Sequence, residues 1–302
     1  LCYRLWNKQD ELSMRDSEIP EILRMDLSEP LLYLFSQGIT KPLEFGWFER
    51  PNSELLESGT LLLKYLEAIT EDCRLTPIGK KMLNLPLPVR LARIMLAAEE
   101  LNEIYTGAWI CALLAQNSKA SRSPSTNHNE SDPIDELESS LSSTPTFTKT
   151  YKQILFSVNA KPQNDHTKPI FNDDAAKKLL LFGFPDRVCK RRSPRSRQAR
   201  MVGGLGVTLS HSSRVTAADL FLAIQLQANT SKTNSSGVGA TSKEVTVHSA
   251  SSIEETWLSE FFAHHLHNSS EVTFNPEDQT MWKTRSRNFI DLPIQLLSKE
   301  RA

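Results

Sequence analysis

Over roughly the first two thirds of the chain, apolar residues recur at helical spacing. Residues 21–38 read as helical, with Ile22, Leu23, Met25, Leu27, Leu31, Leu32, Leu34 and Phe35 apolar, a break at Pro30 and Gly38 placed as a C-terminal cap. Ser53 caps a second helix that runs to about Ile69. Thr76 and Pro77 read as an N-cap and a first helical residue, and Pro88 starts a helix through Leu91, Ile94 and Met95. Helical patterning continues at 107–114, at 146–158 and from Asn172 through Leu181. Pro185 then opens a short basic helix to Arg192. Ahead of all these, residues 1–6 read as a buried strand and 7–17 as a polar link.

From Ala199 the period changes. Residues 201–209 read as a hairpin, and in 218–227 Leu220, Leu222, Ile224 and Leu226 alternate as in a strand. A strand at 245–248 and a helix at 253–266 follow. Strands at 271–274 and 281–287 flank Asn275-Pro276-Glu277-Asp278, and a last strand covers 289–297. Several short strands with one interposed helix predict a small OB-like β-barrel over 199–302. Residues 117–150 differ from both halves. They are rich in Ser, Thr and Asn and punctuated by Pro124, Pro133 and Pro145, which predicts a flexible insertion (118–144) with one short helix near 134–141.

Composition narrows the function classes. A chain of 302 residues, 39% hydrophobic and 24% charged, has material for two or three cores and excludes wholesale disorder. No apolar run approaches the ~20 residues of a membrane helix. Four scattered cysteines make neither a disulfide framework nor a CxxC pair, which points to a reducing, cytoplasmic setting. The chain opens inside a predicted strand and without Met, as expected of a piece of a longer protein. Its net charge of −1 hides an asymmetry: residues 1–150 hold 15 basic and 22 acidic side chains, residues 151–302 hold 20 and 14. Between Arg187 and Arg214 there are eight basic residues and no acid.

That basic run is the one feature with a functional claim. Lys190, Arg191, Arg192, Arg195, Arg197 and Arg200 abut the predicted barrel, and a barrel edge flanked by cations suits the phosphates of a single strand. A plain solvated face is the competing reading. The other candidates are decoys. Gly237-Val238-Gly239-Ala240-Thr241-Ser242-Lys243 lacks the glycine before the lysine and the hydroxyl residue after it that a phosphate-binding loop needs. Asp135-Glu136-Leu137-Glu138 fits helix N-terminal acids. His264, His265 and His267 have no third ligand type at metal spacing, so no metal site is assigned. The five tryptophans read as core or interface packing.

The order of segments resembles a known family. Cys2-Tyr3-Arg4-Leu5-Trp6 is similar to the strand after the last motor motif of DEAH-box helicases of the bacterial HrpB type. Ile19-Pro20-Glu21-Ile22-Leu23-Arg24-Met25-Asp26-Leu27 resembles the start of that family's winged-helix domain. The stretch from Leu75-Thr76-Pro77-Ile78-Gly79 through Leu85-Pro86-Leu87-Pro88-Val89-Arg90-Leu91-Ala92-Arg93 resembles its junction with a helical bundle, and Phe184-Pro185-Asp186-Arg187-Val188 a further HrpB-type block. The chain departs from the pattern in its longer, more polar 118–144 stretch and in Leu205, where a basic residue is the commoner choice.

The resemblance implies an α+β multidomain architecture: the end of a RecA-like domain and a linker (1–17), a winged helix (18–86), a helical bundle (87–198) and the barrel (199–302). It implies an accessory part of an ATP-dependent helicase that holds single-stranded nucleic acid, RNA ahead of DNA, beside RecA-like motor domains of the same parent. ATP and Mg belong to that motor, whose motifs have no counterpart in these residues, so no cofactor is assigned to this chain. The alternative is a stand-alone winged-helix module that binds nucleic acid or protein.

Overall fold

The computed structural model describes residues 3–14, 17–116, 130–140, 144–161, 172–229, 244–275 and 280–301. The chain divides into two compact units, Leu1–Gly79 and Lys80–Ala302.

In the first unit, Asn7 caps helix α1 (Lys8–Ser13) by accepting from the Asp10 amide at 2.8 Å. The expected polar link is therefore partly helical. Residues 3–6 form no strand, and Tyr3 and Leu5 are exposed. Among the described residues no neighbouring strand pairs with them, and an unpaired extended segment cannot bury its backbone amides. Helix α2 (Ser28–Ser36) carries Pro30 inside its first turn, where a missing N–H breaks nothing, so the predicted break does not occur. The turn after α2 closes on Gly38 at φ 80°, with Gly38 N–H to Phe35 O and Ile39 N–H to Leu34 O, both 3.1 Å. This is the paired-bond cap that an αL glycine permits. Helix α3 (Ser53–Tyr65) is capped by Asn52 rather than Ser53, the Asn52 Oδ1 accepting from Glu54 N–H at 3.0 Å. Leu31, Leu32 and Phe35 of α2 and Leu56, Leu62 and Leu63 of α3 are buried. Helix α4 (Pro77–Leu83) starts as its residues predict, with Thr76 Oγ1 accepting from Gly79 N–H at 3.0 Å.

The second unit holds helices α5 (Val89–Glu100), α6 (Ile104–Ala115), α7 (Asp132–Ser140), α8 (Pro145–Ser157) and α9 (Asp173–Gly183). Their shared core includes Ile94, Met95, Ala98, Ile110, Cys111, Ile154, Leu179 and Leu180. Gly107 lets α5 and α6 approach closely, since a Cβ there would lie 2.4 Å from Ala98 Cβ. Of the 118–144 insertion, residues 130–140 and 144 are among the described residues. Residues 117–129 and 141–143 lie outside the described residues, as does the Gly237–Lys243 decoy, but α7 forms where one short helix is expected. Ser131, Asp132, Ile134 and Asp135 are buried, so the described part of the insertion is packed rather than a free loop.

After a single turn of 3-10 helix at Pro185–Arg187 come strands β1 (Val188–Arg191), β2 (Gln198–Met201), β3 (Gly206–Leu209), β4 (Leu220–Asn229) and β5 (Glu244–Ser252). They close a barrel in the order β1-β2-β3-β5-β4, with β3 and β5 parallel and the other pairs antiparallel. Alternation along β4 serves two cores: Phe221 and Ala223 point into the barrel with Cys189, Val207 and Val247, while Leu220, Leu222 and Ile224 join the helical core. Two boundaries differ from the sequence expectation. The basic helix ending at Arg192 is instead a turn followed by β1, so the barrel begins at Val188 rather than 199. It also ends at Ser252. Beyond helix α10 (Glu255–Phe261), β6 (Leu266–Asn275), β7 (Thr280–Phe289) and β8 (Leu292–Arg301) form a separate antiparallel sheet. Val188 and Cys189 explain the first difference: both are fully buried on opposite faces of one strand, one in each core.

Candidate nucleic-acid interface

The six basic residues singled out by sequence do not act together. In β1, alternation turns Arg191 toward the barrel interior, where it is 6% exposed. Its guanidinium donates from Nε to Ala218 O at 2.6 Å, from Nη2 to Val215 O at 2.8 Å, and from Nη1 to Ser196 O. It also lies 5.4 Å from the Phe221 ring centre. Burial lowers its pKa from the usual arginine value. Arg191 closes the end of the barrel by satisfying three loop carbonyls and is not available to a phosphate. Lys190 faces outward opposite Arg200, but its ammonium donates to Ile294 O in β8. The run's outer members are also engaged. Arg187 donates to Ile224 O at 2.8 Å, and Arg214 pairs with Asp135 at 3.0 Å.

Arg192, Arg195, Arg197 and Arg200 remain, and all four are exposed. The structure gathers them on one hairpin. Arg192 N–H bonds to Gln198 O at 3.0 Å and Ser196 N–H to Ser193 O at 3.0 Å, which closes the turn between β1 and β2. Arg195 sits in that turn at φ 60°. Arg200 lies on the outer face of β2, opposite Gly206 of β3. A Cβ at Gly206 would meet the Arg192 Nη2 at 3.3 Å, so the missing side chain leaves room for Arg192 to lie across the sheet. The result is a cationic hairpin with no carboxylate within its own span.

The sequence signals missed how the barrel is held on its β3–β5 side. Asp132 of α7 is buried, and its carboxylate accepts from Ser213 Oγ (2.7 Å), Ala250 N–H (2.9 Å) and Arg214 N–H (2.9 Å). Glu130 adds its Oε1 to Ala217 N–H at 2.7 Å and its O to Ser252 N–H at 2.8 Å. A segment read as a polar insertion thus clamps the barrel. The available signal was Asp132-Pro133, an acid and a proline at a helix start. On the bundle side, Arg90 grips Asp186 with two bonds (2.6 and 2.7 Å) and Gly183 O at 2.9 Å. Bidentate pairing of this kind fixes orientation as well as contact. Among the described residues no group of three His, Cys, Asp or Glu side chains gathers that could hold a metal ion.

Known proteins resemble this chain in sequence and in fold. Residues 60–87 match the model of the helicase associated domain (HA2), winged-helix. The ATP-dependent RNA helicase HrpA of Escherichia coli (strain K12) is 35% identical over 105 residues, 33% of this chain and 8% of that protein. The ATP-dependent RNA helicase HrpB of the same strain is 29% identical over 203 residues, 67% of this chain and 22% of that protein. The crystal structure of the E. coli DExH-box NTPase HrpB superposes with a TM-score of 0.69 at 22% identity, covering 97% of this chain and 33% of that one. The chain thus spans about a third or less of the length of these relatives. Fold and sequence together match it to the C-terminal region of DEAH-box helicases. Within that class the match is to the HrpB type, whose sequence aligns over twice as much of the chain as that of HrpA does.

Proposed function

We propose that this chain is the accessory portion of an ATP-dependent RNA helicase of the HrpB type, and that it holds single-stranded nucleic acid while a motor hydrolyses ATP. The observation that carries this reading is the hairpin of Arg192, Arg195, Arg197 and Arg200. Four exposed guanidinium groups sit on one hairpin of a closed barrel, while the other cations of the same run are engaged by protein groups. Such a surface attracts phosphates without reading bases. ATP and Mg fall to the motor of the parent protein. No phosphate-binding loop can be traced in this sequence, and no step of ATP chemistry is assigned to these residues.

The test is a salt titration of binding to a fluorescent single-stranded RNA, comparing native protein with R192S/R195S/R197S/R200S. The substitutions lie on the surface, so the fold holds. Affinity for all sequences falls about equally, and the salt slope becomes shallower by about 0.7 for each phosphate no longer neutralised. Unchanged affinity and slope would refute the reading. Arg191→Met is the contrasting variant: it unfolds the barrel at lower urea, because three carbonyls lose their donor.

A further inference from the structure

The three-stranded sheet after the barrel carries a second line of positive charge. Along β7, Lys283, Arg285 and Arg287 occupy alternate positions and therefore share one face. With about 3.4 Å of rise per residue, they form a column about 14 Å long. Pairing registers place Asn268 and Gln295 beside Arg287, and Ser270 and Ser298 beside Arg285. Lys283 lies between Val272 and Glu300, the one acid in these three rows. Lys283 and Arg285 make no ion pair or hydrogen bond among the described residues, and Arg287 donates to Ser259 Oγ at 3.3 Å. The same face ends in exposed Phe274, Met281 and Val272.

The opposite face differs. There Lys299 and Arg301 are drawn onto the Trp282 ring, at 4.8 and 6.0 Å from its centre. Nearer the body, Ser286 bonds to Ser269 and Asn288. Its cations are occupied within the protein, whereas on the first face Arg285 is exposed and Lys283 half-buried, neither in an ion pair or hydrogen bond among the described residues. The root of the charged face is also anchored: Phe289, Leu292 and Ile294 are buried in the unit's core, and Ile294 O takes the Lys190 ammonium from barrel strand β1. Asp291 Oδ1 likewise accepts from Gly203 N–H of the β2–β3 turn at 2.9 Å. The column thus starts beside the barrel and leads away from it on a backbone held at its base.

We infer that the Lys283–Arg285–Arg287 face is a second phosphate-contacting surface, which extends the track of a single strand beyond the barrel hairpin. The inference rests on the nucleic-acid reading above. The occupant follows from charge: a straight row of cations with mostly neutral lateral neighbours suits a repeating anion, and exposed Phe274 beside it offers a stacking surface for a base.

The test uses the full chain and two single-stranded RNA probes. One has about 8 nucleotides, within the site size of one OB barrel, and the other about 30. K283S/R285S weakens the long probe about three- to tenfold at moderate salt and makes its slope shallower by about 1.4, for two phosphates no longer neutralised. Binding of the short probe is unchanged. K283R/R285K, which keeps the charges, binds the long probe like the native protein. If K283S/R285S binds the long probe normally while the barrel variant loses it, the sheet is not part of the track and the barrel reading stands. If neither variant changes binding, both fail. If polyglutamate competes as well as RNA of equal charge, the face takes an acidic protein and the inference is overturned.

Discussion

Replacing Asp132 should loosen the barrel more than any single surface arginine does. Its carboxylate is 3% exposed and accepts three hydrogen bonds, two from backbone amides (Arg214, after β3, and Ala250, in β5) and one from the Ser213 hydroxyl. Asp132→Ala leaves all three donors without an acceptor. Each buried orphan costs about 1–3 kcal/mol, and partial entry of water brings the total to about 3–5 kcal/mol. Asp132→Asn is milder. The amide oxygen can keep Ser213 Oγ–H and Ala250 N–H, which share Oδ2, but its NH2 group then faces Arg214 N–H, for a loss of about 1–3 kcal/mol. Urea unfolding followed by circular dichroism reads the effect. For a unit of this size, the transition of the second unit moves about 1–2 M lower for the alanine variant. Amide exchange should quicken at Arg214 and Ala250 while the first unit keeps its protection. An alanine midpoint within about 0.3 M of native, or an asparagine variant less stable than the alanine one, would refute the clamp.

Further outcomes follow from packing, backbone conformation and burial. Gly107→Ala places a Cβ 2.4 Å from Ala98 Cβ and should lower stability by about 1–3 kcal/mol in thermal unfolding, whereas Gly38 tolerates asparagine better than alanine because only its φ is demanding. Cys111 and Cys189 are fully buried and burial pushes both thiols up, so thiol reagents should modify them only in the unfolded protein, as peptide mapping will show. Because the folded pKa lies above the unfolded one, stability is retained below the ordinary thiol value of about 8.5 and declines as pH rises beyond it, and Cys111→Ala should flatten that decline.

Local chemistry made several elements legible in the sequence. Gly38 closes α2, Thr76 and Pro77 open α4, and Asn172 caps α9, because capping depends on residues within one turn of each other. The change from helical to alternating period announced a β-rich end, and the order of motifs announced the family. Two of those motifs prove to be architecture: Arg90 and Asp186, 96 residues apart in sequence, are partners that join the bundle to the turn before β1. What the sequence could not assign was the use of each cation. Lys190, Arg191 and Arg192 are adjacent and chemically alike, yet one donates to a neighbouring strand, one plugs the barrel and one faces solvent. Strand alternation and barrel closure decide that division, and both depend on partners far away in sequence. The insertion shows the same limit. Its polarity reads as solvation, but burial of Asp132 is stable only because the barrel supplies three donors at the right positions, a condition that closure of the tertiary structure alone creates.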